Sequence, residues 1–202
     1  MKTLAAFVFH GFQTLDFFGP LEMLGAYRDR MQISIVAEAS DPTPSVHGQK
    51  LCVDKTIADG SDYDLLLVPG GDTALIAGES PVVTDWLRET CARAELVMAV
   101  CTGTVLLGMA GVLDGRRATT NKLDFAATVP RAPKVDWVPK ARWVEDGKFF
   151  TSSGVSAGID MSLAAVARLY GEAAARETAE GSEYEWHDDA SWDPFAARAG
   201  LV

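Results

Sequence analysis

The chain has 202 residues, 48% of them hydrophobic, and a formal net charge of −10 at pH 7. That is enough for one sizeable core, so a single domain over residues 1–202 is expected, and the acidic balance without a Lys/Arg cluster excludes a nucleic-acid-binding or anionic-membrane-binding face. Cys52, Cys91 and Cys101 lie far apart with no CxxC spacing, which excludes a zinc site or a disulfide framework and suits a cytoplasmic setting.

The first element is the apolar run from Lys2 to His10. It is continuous rather than alternating, so it reads as a strand buried on both faces; it is too short for a secretory signal. A loop from Gly11 to Phe18, carrying Asp16, leads to Gly19-Pro20, and Pro20 suits the first position of a helix running to about Arg28. Glu22 then reads as an acid serving the dipole of that first turn. Asp16, just ahead of the predicted helix, reads either as a cap or as a functional acid. Met31 to Ala39 is a second strand, Ser40 to Gly48 a polar loop, and Lys50 to Thr56 a short edge strand. Tyr63 to Pro69 is another buried strand ending in Pro69-Gly70-Gly71, and Val82 to Ala94 has helical spacing.

The stretch from Glu95 to Gly111 is the most informative. A β-favouring run, Leu96-Val97-Met98-Ala99-Val100, ends in Cys101, and a small-residue helical pattern follows from Gly103. Small residues on both sides of the cysteine permit a sharp strand-to-helix corner, which would expose the sulfur beside a helix N-terminus and favour thiolate. A lone buried cysteine is otherwise ordinary packing; the corner is what makes this one a candidate nucleophile. Three glycines and two threonines make the same stretch a poor membrane span.

Beyond the corner, Gly115 to Thr120 reads as a turn into a short strand and Leu123 to Val129 as a short helix. Val135–Val138, Ala141–Val144 and Lys148–Ser152 read as short strands, with Asp146-Gly147 as a hairpin turn. Ile159 to Tyr170 and Glu172 to Glu180 are helices, and Tyr184 to Phe195 is an aromatic, acidic tail. Alternating strands and helices predict an α/β fold, a doubly wound, mostly parallel, flavodoxin-like sheet with sites at the carboxyl ends of its strands. That rule gathers Asp16, Gly70-Gly71 and Cys101. Gly71 and Thr102 can offer backbone N–H groups near the sulfur, although Pro69-Gly70-Gly71 alone would be an ordinary turn. His10, His47 and His187 give no convincing partner for the cysteine, so Asp16 is the better proton carrier.

Three motifs, Leu15-Asp16-Phe17-Phe18-Gly19-Pro20, Pro69-Gly70-Gly71 and Ala99-Val100-Cys101-Thr102-Gly103, together resemble the ThiJ/PfpI superfamily, from the first strand to at least Tyr170. Ala110 to Thr120 and Gly154 to Asp160 are most similar to its bacterial isocyanide hydratases. The resemblance implies Cys101 as nucleophile and Asp16 as the acid bonded to it. It also implies Thr102, Gly70 and Gly71 around an anion pocket, Val155 in a loop packed against the nucleophile, no metal or organic cofactor, and a homodimer. Asn121 stands where many members carry a histidine, which counts against a His-assisted peptidase or deglycase. The implied substrate is a small, uncharged, hydrophobic isocyanide, with Phe17, Phe18, Trp186, Trp192 and Phe195 as candidate walls or as ordinary packing. The rival readings are a cysteine redox sensor or other ligand-binding module, the sensory half of a regulator, and a glyoxalase or deglycase. No helix-turn-helix pattern follows Tyr170, and that weakens the regulator.

Overall fold

The computed structural model describes residues 1–202. Its elements are β1 (Lys2–Phe7), α1 (Thr14–Gly25), β2 (Met31–Ala37), β3 (Thr43–Pro44), β4 (Lys50–Leu51), β5 (Lys55–Thr56), β6 (Leu65–Val68), α2 (Ala74–Ala77), α3 (Pro81–Arg93) and β7 (Leu96–Val100). There follow α4 (Gly103–Met109), β8 (Arg117–Ala118), α5 (Phe125–Thr128), β9 (Asp136–Trp137), β10 (Trp143–Asp146), β11 (Phe149–Ser152), α6 (Ala157–Tyr170), α7 (Glu172–Gly181) and α8 (Pro194–Arg198).

The main sheet has seven strands in the order β10-β11-β7-β6-β1-β2-β5. All neighbours are parallel except the β10–β11 hairpin at one edge. Alternate residues of one strand enter opposite cores. Ala5, Leu66, Val97 and Ala99 pack toward α3 and α4, while Leu4, Leu65, Leu67 and Met98 pack toward α1 and α6. Helices on both faces explain why these strands read as unbroken apolar runs. The doubly wound, flavodoxin-like expectation is borne out. No helix is long and apolar enough to cross a membrane.

Several local expectations need correction. Helix α1 begins at Thr14, so Pro20 lies inside it and Asp16 in its first turn, while Glu22 is an exposed mid-helix residue rather than a first-turn acid. An interior proline removes one helical hydrogen bond. Here that loss is offset by close packing on α6. A Cβ on Gly19 would meet the Ile159 side chain at 2.8 Å, and Gly158 lies against Val100 and Pro20. The predicted edge strand Lys50–Thr56 is two pieces, because the Asp54 carboxylate takes the Ile35 amide at 2.8 Å in place of a ladder bond. β3 lies within the predicted loop, paired antiparallel with β4, and α8 falls in the tail, where no helix is expected.

Candidate active site

The carboxyl ends of four neighbouring strands, β1, β6, β7 and β11, face one point. β7 delivers Cys101 there. Its φ of 58° is left-handed, an uncommon state for a non-glycine residue, and it turns the chain directly into α4. The corner is clamped from both sides: the Cys101 amide donates to the Ser152 carbonyl at 3.2 Å, and the Thr120 hydroxyl donates to the Cys101 carbonyl at 2.7 Å. Two glycines make the close approach possible. A Cβ on Gly103 would stand 2.4 Å from the Val68 carbonyl, and one on Gly70 would stand 2.7 Å from the Thr102 amide.

α1 delivers Asp16, which is fully buried. It is not a helix cap. Its Oδ2 accepts the Gly70 amide at 3.0 Å, while Oδ1 meets no N–H or O–H. Burial pushes this carboxyl up to about 7; the Gly70 amide and the Cys101 thiol are the groups that pull the other way. The thiol therefore lies against a carboxyl that exchanges its proton near neutrality.

Cys101 is itself buried, and burial, followed by the charge of Asp16, raises its thiol well above the ordinary range. The Thr102 and Val155 amides and the Thr102 hydroxyl oppose that rise. The corner amide thus acts as expected, toward thiolate, while desolvation acts against it. Val155 presents its amide from a strained loop, with φ of 34° on a β-branched residue. The anion pocket also differs from expectation. The Gly71 amide donates to Thr102 Oγ1 at 3.0 Å and the Gly70 amide serves Asp16, so Thr102 and Val155, not Gly71, face the sulfur.

No histidine acts on the thiol or on Asp16. His10 is exposed, His47 bonds Thr14 Oγ1 at 2.9 Å, and His187 stacks on Trp192. Asn121 is buried and donates to the Asp124 carboxylate at 2.7 Å. A cleft of about 510 Å³ is lined on its apolar side by Leu15, Leu123, Val155 and Phe195; Cys101 and Asp16 are not part of its lining, and Val155, whose amide acts on the sulfur, is the residue shared by the thiol site and the cleft. Of the expected aromatic walls only Phe195 lines it. Phe17 is core, Phe18 and Trp192 are surface residues off the cleft, and Trp186 packs against the second core. No group of three or more His, Cys, Asp or Glu side chains is placed to hold a metal ion.

Sequence reasoning missed the polar frame around this cleft. Buried Arg142 pairs with buried Asp160 at 2.6 Å and reaches Ser156 at 3.4 Å, beside Val155. Asp160 also accepts the Tyr184 hydroxyl and the His187 amide, both at 3.0 Å, which ties the tail to α6. Lys122 pairs with Asp193 at 3.4 Å, and the other oxygen of Asp193 caps α8 through the Phe195 amide. One signal was available: Asp160 is an acid inside the apolar run Ile159 to Val166.

A left-handed cysteine at a strand-to-helix corner, with a buried carboxyl beside it on a parallel sheet, defines an α/β protein built around a cysteine elbow. Residues 2–168 match the model of the DJ-1/PfpI family, and the chain belongs to that family. It is 36% identical over 161 residues to the isonitrile hydratase of Pseudomonas putida, covering 79% of this chain and 68% of that one. It is 28% identical over 174 residues to the HTH-type transcriptional regulator CdhR of Pseudomonas aeruginosa, covering 84% of this chain and 51% of the regulator. The crystal structure of a ThiJ/PfpI family protein from Pseudomonas syringae superposes with a TM-score of 0.83 at 29% identity, over 100% of this chain and 84% of that one.

Proposed function

We infer that the chain is an isocyanide hydratase, a lyase that adds water to an isocyanide to give an N-substituted formamide. The observation that carries this reading is the buried pair of Cys101 and Asp16, with no histidine acting on either. That pair suits chemistry in which one carboxyl both takes and returns a proton beside a sulfur nucleophile. The similarity to an isonitrile hydratase supports the same reaction class.

Asp16 carboxylate accepts the thiol proton as Cys101 sulfur bonds the terminal isocyanide carbon. It then returns that proton to the same carbon, giving a thioimidate. Water adds to this carbon, with Asp16 taking a proton from the water and passing it to the substrate nitrogen. The tetrahedral adduct collapses with cleavage of the C–S bond, releasing the formamide and the thiol. The Thr102 and Val155 amides steady charge on sulfur as it attacks and as it leaves. The reading includes a homodimer working in the cytoplasm without metal or organic cofactor. A redox sensor is less well supported, because such a sulfur is a low-pKa, accessible thiolate and burial opposes both properties here.

The test is incubation with cyclohexyl isocyanide, with N-cyclohexylformamide identified as product. Formamide from wild type and none from an equally folded Cys101→Ala variant is the expected result. Formamide from both removes the nucleophile, and formamide from neither removes the hydratase.

A further inference from the structure

The cleft wall reverses the charge of the molecule. The chain carries a net charge of −10, yet no Asp or Glu lines the cleft, while Lys122 and Arg198 do. These two cations differ. Lys122 Nζ is almost wholly buried, bonds the Thr120 carbonyl at 3.0 Å, and is neutralised by Asp193 at 3.4 Å. Arg198 is exposed and forms no ion pair; its guanidinium lies 5.2 Å above the Phe195 ring, on the same wall. Stacking on an aromatic face holds a guanidinium in place and leaves its N–H donors free. Ser153 and Ser156 add hydroxyl-bearing residues to an otherwise apolar lining.

We propose that Arg198 reads an anionic group on the substrate, so that the preferred isocyanide is an apolar body with a carboxylate at the end remote from the isocyanide carbon. This rests on the hydratase reading and refines it: the sequence implies an uncharged hydrophobic substrate, whereas the cleft pairs an apolar wall with an unneutralised cation. Val155 links the two ends, since its amide faces the Cys101 sulfur and the residue itself lines the cleft. An acidic protein repels anions at long range, so a cleft that binds one needs a local cation of this kind. Arg suits the task because its planar fork bonds both carboxylate oxygens at once.

The experiment compares 4-isocyanobenzoate with its methyl ester, which keeps the shape and removes the charge. Wild type is expected to favour the acid about tenfold in kcat/KM, mostly through KM. Arg198→Met brings the acid-to-ester ratio to about one, Arg198→Lys recovers part of it, and Arg198→Glu inverts it. Equal handling of acid and ester by wild type, or an unchanged ratio in Arg198→Met, overturns the proposal. Unreactive 4-methylbenzoate and its methyl ester, followed by calorimetry, read the same contact without turnover. Preference for the acid that disappears in Arg198→Met supports the anion subsite even if every isocyanide, cyclohexyl isocyanide included, is left intact and the hydratase reading falls. No preference between these two probes overturns the subsite alone.

Discussion

The elbow and the tail that walls the neighbouring cleft are built on different principles. The elbow side is positioned by backbone: Cys101, Thr102, Gly70 and Val155 are placed through main-chain geometry, held by a parallel sheet and by glycines that let chains approach closely. The tail side is side chain: residues 184–199 are fixed by two buried ion pairs, Arg142–Asp160 and Lys122–Asp193, and they present Phe195 and Arg198. The elbow leaves no room for a side chain at Gly70 or Gly103, where a Cβ would meet neighbouring backbone. The tail side rests on a few side-chain contacts, so under the proposed function the chemistry belongs to the first and substrate choice to the second.

The largest effect that would sharpen this contrast is expected at Asp16. Asp16→Asn keeps an acceptor for the Gly70 amide and removes the proton carrier, so kcat/KM should fall about a thousandfold. In wild type, kcat/KM should rise as pH passes about 7, because the carboxylate is the form that accepts the thiol proton, and that rise should vanish in the variant. Stability runs the opposite way. The folded-state value near 7 lies above the ordinary 3.8, so the contribution of Asp16 is complete below pH 3.8 and is lost as pH climbs through 7. Denaturant titration at pH 8 should find Asp16→Asn more stable than wild type, on the order of 2 kcal/mol. A variant less stable than wild type at that pH would mean that Asp16 is not held against its burial.

On the tail side, Arg142→Met leaves the buried Asp160 carboxylate without its counter-charge and should cost about 3 kcal/mol in chemical denaturation. It should also lower kcat, since Ser156 and hence the Val155 loop lose a tie. An unchanged kcat would detach the tail from the chemistry altogether. Phe195→Ala should raise KM about tenfold with a smaller change in kcat, the pattern of a wall that binds without reacting. The smallest effect is expected at Cys91, a buried thiol pushed up to about 12 with no carboxyl beside it. Cys91→Ala should cost about 1 kcal/mol of stability and leave turnover at the wild-type level, measured with the same isocyanide.

Legibility in the sequence followed the same division. β1, β6, β7 and the corner at Cys101 were readable because apolar runs and small residues are local signals, and Asp16 was readable once strand ends were known to converge. Amide directions were not. Nothing in Gly70-Gly71 says that one N–H serves Asp16 and the other Thr102 Oγ1, because that depends on a φ of 153° at Gly71. The tail was opaque for another reason: Lys122 and Asp193 are 71 positions apart by their numbers, and such a pair has no local pattern. Helix α8 did leave a trace, Asp193-Pro194, a cap followed by proline at the first helical position.

The left-handed backbone at Cys101 has a consequence for where strain is stored in the molecule. That conformation favours glycine, then asparagine, over a residue with an ordinary Cβ. A glycine at this position would meet no such penalty and would relax the corner. A cysteine there sits against the preference of its own backbone, so the corner carries local strain that the packing of the surrounding strands must hold in place.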